Sequence, residues 1–238
     1  MEEASPTYLK ALPLHAITEV YGEEGLRQRF LLETACFPEP AQADLRRALD
    51  LADRLHRDDR RVREPYMNHL LRVATRIICY YRVRDPDVVV AALLHDAVED
   101  HPAELAGGAP LDPIGAAVSV LARDFGPRVA ELVRAVTNPE YDPDRDRDEQ
   151  YREHVAESLV NNPWARLIKA SDFTDNGVGV IHTRGAKVRR AAVKYRPLVP
   201  ILRELVARTD TPLDDEAKSH IMGQLDLAEK RFAAILHD

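Results

Sequence analysis

Cysteine is nearly absent: the 238-residue chain has two, Cys36 and Cys79, with no CxxC pair and no cysteine-histidine cluster. That excludes a disulfide framework and a thiolate zinc site. Both are expected as reduced core thiols. Aromatic residues make up only 6%, and no stretch alternates apolar and polar residues long enough to read as a strand. Long apolar runs are missing too. The purest, residues 88–94, falls far short of the roughly 20 residues needed to cross a bilayer. Lysine and arginine number 33 against 40 acidic residues, and a net charge of −7 argues against a chain that coats nucleic acid. The first six residues, Met1-Glu2-Glu3-Ala4-Ser5-Pro6, are acidic and lack the regions of a signal peptide. A cytoplasmic location is expected. No P-loop, Gly-x-Ser-x-Gly elbow or dinucleotide fingerprint is present.

What is there is helical periodicity. Residues 41–56 place Leu45, Ala48, Leu51, Ala52 and Leu55 on one face. A second helix spans about 66–81. Asp85-Pro86 reads as N-cap and first helical position of an apolar helix running through Val98. Asp112-Pro113 starts another, closed by Gly126. Further helices are expected at 128–136, 148–160, 163–172, 187–207 and 214–236. Loops are expected at 106–110 and 138–147, rich in Gly, Pro and Asp. The class is all-α: a compact helical bundle over residues 41–238 with a C-terminal helix. Residues 1–40, with four prolines, form an N-terminal extension holding one helix near 23–36.

The chemistry concentrates in Leu94-His95-Asp96-Ala97-Val98-Glu99-Asp100. Polar side chains ending an apolar helix are costly to bury unpaired. On a helix His95 pairs with Glu99 and Asp96 with Asp100 at four-residue spacing, and the three acids would oppose the negative end of the helix dipole unless a cation offsets them. A solvated helix end is the bland alternative. A metal held by His95 and Asp96 needs ligands from elsewhere, and His69, early on one helix, and Asp172, ending another, are available.

Taken in order, these segments resemble the HD-domain metal phosphohydrolases, and more narrowly the hydrolase domain of the RelA/SpoT family and the small alarmone hydrolases. Glu64-Pro65-Tyr66 precedes His69, His95-Asp96 opens a motif closed by Glu99-Asp100, and Asp172 is followed four residues on by Asn176. The resemblance spans about residues 45–200. It implies a helical HD fold in which His69, His95, Asp96 and Asp172 ligate a metal. Two imidazoles and two carboxylates form a fairly hard set suited to manganese or iron, and the family implies Mn²⁺. Glu99 and Asp100 would orient and deprotonate the attacking water.

The resemblance further implies that Arg60 and Arg61 meet phosphates and that Tyr66, Lys169 and Asn176 line the substrate site. A basic stretch, Arg184-Gly185-Ala186-Lys187-Val188-Arg189-Arg190-Ala191-Ala192-Val193-Lys194-Tyr195-Arg196, carries six positive side chains and no acid. It reads as a solvated helix face or as a funnel toward a charged nucleotide. Within it Lys194 and Tyr195 are candidate substrate contacts.

Departures from the family pattern mark this chain. Arg63 stands where the family has a loop glycine. His101 stands where threonine is usual, and its role stays open between ligand, neighbour of a ligand and exposed side chain. The implied activity is metal-dependent 3′-pyrophosphohydrolysis of (p)ppGpp to GDP or GTP and pyrophosphate, as in the stringent response. The partner is thus a small nucleotide, with no nucleic acid or membrane expected and the oligomeric state open. A second catalytic domain is not expected after residue 200. The rival readings are an HD phosphohydrolase of another nucleotide, such as an adenine alarmone, a 2′-phosphorylated dinucleotide or a mononucleotide, and a non-catalytic nucleotide-binding regulator on the same scaffold.

Overall fold

Prolines and aspartates set the helix starts. In a computed structural model describing residues 5–183 and 185–237, the chain forms α1 (Pro6–Ala11), α2 (Leu14–Thr34), α3 (Glu39–Leu55), α4 (Met67–Cys79) and α5 (Pro86–Leu93). There follow α6 (Ala97–Asp100), α7 (Pro102–Leu105), α8 (Pro113–Phe125), α9 (Pro127–Val136), α10 (Arg147–Val160) and α11 (Pro163–Gly177). After a 3-10 turn, Val178–His182, come α12 (Ala186–Tyr195), α13 (Leu198–Ala207) and α14 (Asp215–Leu236). The N-terminal tip, Arg184 of the basic stretch and Asp238 lie outside the described residues.

Asp85, Asp112, Asp146 and Asp214 each accept a hydrogen bond from a first-turn amide of the helix they precede, satisfying a donor that the helix cannot. Gly126 takes φ +93° between α8 and α9, a conformation costly for any residue with a Cβ. Among the described residues there is no strand, only an isolated bridge between Arg60 and Pro65. The fold is all-α.

The core is organised around α4, which packs against α2, α5 and α11. Its side chains from Met67 to Ile78 are all buried, and Leu70, Leu71, Val73, Ala74, Ile77 and Ile78 face apolar neighbours from those helices. The described part of residues 1–40 joins this core, since Leu9, Leu14, Ile17, Leu26 and Phe30 are buried in the same cluster.

Several local expectations are corrected. The helix from Asp85 stops at Leu93, and His95 and Asp96 sit in the turn before α6. The helix read as 187–207 is two helices, because Pro197 has no amide to continue α12. The helix read as 163–172 runs on to Gly177, so Asp172 lies inside it. Cys36 is exposed rather than a core thiol, while Cys79 is half-buried and burial pushes its thiol up to about 11.

Candidate metal centre

Four side chains from three parts of the chain converge. His69 comes from the first turn of α4, His95 and Asp96 from the turn between α5 and α6, and Asp172 from the middle of α11. His69 Nε2 lies 3.6 Å from Asp96 Oδ2 and 3.5 Å from Asp172 Oδ1. His95 Nε2 lies 3.1 Å from Asp96 Oδ2 and 3.9 Å from Asp172 Oδ1. Such separations suit donor atoms around a shared ion with ligand bonds of about 2.1 Å.

Both rings are held by their other nitrogen. His69 Nδ1 pairs with Asp175 Oδ2 at 2.8 Å, and His95 Nδ1 with the Ala92 carbonyl at 2.9 Å. With the proton on Nδ1, each ring turns the Nε2 lone pair into the cluster, as metal-binding histidines require. His95 Nε2 is buried and makes no hydrogen bond. An orphaned imidazole nitrogen among carboxylates, with a donor set of two nitrogens and two oxygens and no thiolate, fits a divalent ion. Despite burial, which acts the other way, His95 and His69 hold Asp96 well below the usual carboxylate range. For Asp172, burial is likewise outweighed, by Lys169 and the two histidines, so its carboxyl too sits below that range.

The expected helix-dipole argument for a cation does not survive. Glu99 and Asp100 lie in α6, beyond the break, and not at the C-terminal end of α5. The case for a cation rests on convergence instead. Glu99 is clasped by Asn138, whose Nδ2 donates to Oε1 at 2.8 Å and Oε2 at 2.9 Å and whose amide donates at 3.2 Å. Asp100 keeps contact with solvent, yet desolvation by its surroundings, reinforced by Asp96 and Glu99, pushes its carboxyl up to about 6.

The substrate-site candidates divide. Lys169 Nζ donates to Asp172 Oδ2 at 3.1 Å and Asn176 Nδ2 to Asp172 Oδ1 at 2.5 Å, so both adjoin the cluster. Arg61 donates to Asn176 Oδ1 and, at 3.4 Å, to Asp175. The Tyr66 hydroxyl donates to Asp96 Oδ2 at 2.7 Å, which commits it to the metal centre. Lys194 Nζ sits 4.5 Å from the Tyr151 ring centre and 5.1 Å from that of Tyr195, and Lys169 shares Tyr151 at 5.3 Å. Arg60 stays apart, exposed on the rim of a cleft of about 420 Å³ that Arg61, Arg63, Lys187, His15 and His182 also line.

The described basic stretch does not act as one face. Lys187 lines that cleft, Lys194 packs on tyrosines, and Arg196 pairs with Glu229 at 2.9 Å. Arg63 needs no left-handed backbone, since Arg82 and His237 are the non-glycine residues with positive φ among the described residues. The turn it occupies is closed by the Arg61 amide bonding Glu64 O at 2.9 Å.

Sequence reasoning missed Asp175. It is buried, accepts from Arg72 Nε at 2.8 Å and Nη2 at 2.9 Å and from Arg76 at 3.2 Å, and lies 3.7 Å from His15. Arg72 also binds Glu64, at 2.6 and 2.8 Å. The available signal was a pair of arginines four apart on the largely apolar α4, which demands a buried acid. Asn138 carried no such signal, for nothing local ties it to Glu99.

Comparison with known proteins adds a family. Residues 48–160 match the family model described as HD domain. The guanosine-3′,5′-bis(diphosphate) 3′-pyrophosphohydrolase MESH1 of Drosophila melanogaster is 33% identical over 124 residues, 51% of this chain and 60% of that protein. MESH1 of Homo sapiens is 33% identical over 133 residues, 55% of this chain and 65% of its own. A protein of Aquifex aeolicus (strain VF5) with the same pyrophosphohydrolase name is 29% identical over 157 residues, covering 65% of this chain and 20% of that one. The chain thus spans less than two thirds of the length of these curated relatives. A solved structure described as a metazoan ortholog of SpoT that hydrolyzes ppGpp superposes with a TM-score of 0.60 at 25% identity, covering 82% of this chain and 96% of that one.

Proposed function

We propose that this chain, whose residues 48–160 match the HD-domain model, is a manganese-dependent hydrolase of guanosine alarmones, splitting the 3′-diphosphate of (p)ppGpp. The observation that carries the reading is the meeting of His69, His95, Asp96 and Asp172 around one point, with Glu99 and Asp100 following the doublet on α6. The names of the matched relatives supply the substrate class.

In the reaction, water oxygen bonds to the ribose-proximal phosphorus while the bond from that phosphorus to the 3′ oxygen breaks. GDP or GTP leaves with a 3′ hydroxyl, and pyrophosphate carries the new oxygen. A divalent ion held by the four ligands would supply Lewis acidity, offsetting phosphoryl charge and easing proton loss from water. Manganese is our choice for that ion, on the hardness of the donor set.

The chain's own groups do the rest. Asn138 fixes Glu99 so that its carboxylate orients the water, and Asp100, with its carboxyl near 6, takes the proton. Lys169 stands beside Asp172 to meet a phosphoryl oxygen, and Lys194 is held close by through Tyr151. Arg61 and Asn176 hold the nucleotide side, with Arg60 at the rim. Tyr66 fixes Asp96, and Tyr195 supports Lys194. No helix among the described residues is long and apolar enough to cross a membrane, which accords with a cytoplasmic enzyme acting on a free nucleotide.

A second reading, another nucleotide on the same centre, is favoured by the cleft beside Asp175, which His15 and Glu19 of α2 help to line. The test is incubation of purified protein with ppGpp and Mn²⁺, with and without chelator, beside a panel of other nucleotides. Chelator-sensitive pyrophosphate release from ppGpp supports the proposal. Its absence sinks it, and turnover of another nucleotide alone moves the assignment to that substrate.

A further inference from the structure

A second cluster of histidine and carboxylate donors lies apart from the centre described above. His56 follows α3, Asp59 lies in the loop before α4, and His101 links α6 to α7. One donor atom from each lies within 4.8 Å of the other two. Asp59 Oδ2 is 2.8 Å from His56 Nδ1 and 2.6 Å from His101 Nε2. The rings meet edge to face, with centres 4.7 Å apart at 85°. Glu104 Oε2 stands 3.6 Å from the other nitrogen of His101.

Anchoring a loop needs one histidine on one carboxylate. Here two rings turn on the same oxygen, and the second has a further carboxylate behind it, the outer arrangement that orients metal-binding imidazoles. The base is dry and the mouth open: the His56 side chain is 1% exposed, that of His101 20% and that of Asp59 34%. His56 Nε2 is buried without a hydrogen bond, so the polar chemistry of this ring is directed wholly at Asp59. Burial alone would raise the Asp59 carboxyl; the hydrogen bonds from His101 and His56 keep it low and anionic.

We propose that His56, Asp59 and His101 form a second metal site, separate from the His69/His95 centre, which takes one borderline divalent transition ion of the Zn²⁺ class. Two imidazole nitrogens and one carboxylate oxygen without thiolate leave room for a water as fourth ligand. Ligands of a tetrahedral ion with bonds of about 2.1 Å stand about 3.4 Å apart. Loading therefore opens the present contacts by somewhat more than half an ångström, a movement open to the partly exposed Asp59 and His101 while His56 stays packed. The two ring protons that now face Asp59 move to the far nitrogens. His101 then presents its Nδ1 proton to Glu104, and His56 carries its proton on Nε2. The site adjoins the first through one residue: Tyr66 stacks on His56 with ring centres 4.9 Å apart at 11° and donates to Asp96.

The proposal does not depend on the alarmone reading, and its test counts ions rather than turnover. Protein stripped of metal is titrated with Zn²⁺ alone, bound zinc is measured by elemental analysis, and Co²⁺ is substituted to follow its visible absorption. Wild type is expected to hold two equivalents. His101→Thr and Asp59→Asn are each expected to lose one equivalent and its Co²⁺ bands, and His95→Ala to lose the other. Asp59→Asn keeps the size and a hydrogen-bond acceptor at that position, so it decides the matter should His101→Thr fail to fold. A single equivalent in wild type that His95→Ala removes, or equal zinc in wild type and the folded Asp59 and His101 variants, overturns the proposal.

Discussion

His69 gives its Nδ1 proton to Asp175 Oδ2 across 2.8 Å, and that bond selects the nitrogen turned toward Asp96 and Asp172. Asp175 in turn is the shared anion of Arg72 and Arg76, both buried. Replacing Asp175 with Asn keeps the shape and removes the charge. We expect a loss of about 10–100-fold in divalent-metal affinity, the usual cost of losing the outer partner of a ligating histidine. We also expect a stability loss of about 3 kcal/mol from leaving buried guanidinium groups short of counter-charge. Metal titration and urea denaturation read the two effects separately, and unchanged metal affinity would show that His69 is oriented by something else.

The proposed metal ligands and the proposed water-directing acids should separate by phenotype. His95→Ala and Asp172→Ala are expected to abolish metal retention. Glu99→Ala should retain metal and lose turnover by about 100-fold, the scale of losing a group that positions a reactant. Asn138→Ala, which frees Glu99 from its clasp, should lower kcat by about tenfold with metal content unchanged, the scale of about 1.4 kcal/mol in barrier height. Loss of the ion in Glu99→Ala would move that residue from orienting the water to ligating the metal.

Turnover should rise with pH across the range near 6. Desolvation, then Asp96 and Glu99, raise the Asp100 carboxyl to about 6, and only its ionised form above that pH can accept a proton. An ion bound beside Asp96 offsets the repulsion from that carboxylate, so the acidic limb should lie lower in loaded enzyme. Asp100→Asn should remove the limb, and a pH profile of kcat/KM that keeps it in this variant would assign it elsewhere.

Folding stability should fall as the medium is acidified from pH 6.5 toward 4. Burial lowers His15 from 6.5 to about 4, with Arg72, His182 and Arg76 adding to this and Asp175 opposing it. Between those values the unfolded chain binds the proton and the native state does not, so protons favour unfolding. The ring is about one-third exposed, and solvent screening makes the effect modest. His15→Gln should flatten this part of the pH–stability curve in urea titrations; an unchanged slope would place the dependence on other histidines that burial lowers, such as His56 or His154.

The helix plan was legible because its signals are local. Asp85-Pro86 and Asp112-Pro113 begin helices in the structure as cap chemistry dictates, and Gly126 ends one. The break at 94–96 left no such mark, since neither glycine nor proline falls between Val88 and Val98. It is made by contacts at a distance, with Asp96 drawn toward His69 and Tyr66. Pro197 could have been read as a stop and was not. In the site, the histidines and acids of the motifs were readable through their resemblance to the HD-domain pattern. Asp175 and Asn138 were not, because what gives each its task is a partner far away in sequence.

The N-terminal helix α2 reaches the site from behind, with Thr18 accepting from Arg72 at 3.2 Å and His15 beside Asp175. The bond from His69 to Asp175 closes a sequence separation of 106 residues. Contacts of such range are slow to form, because the loop they close must be ordered first. During synthesis α2 and α4 are made well before α11, so the two arginines of α4 wait without their anion until the ribosome has delivered Asp175. The centre is therefore a late product of folding, and a nascent chain halted before residue 172 lacks a ligand of the His69/His95 centre.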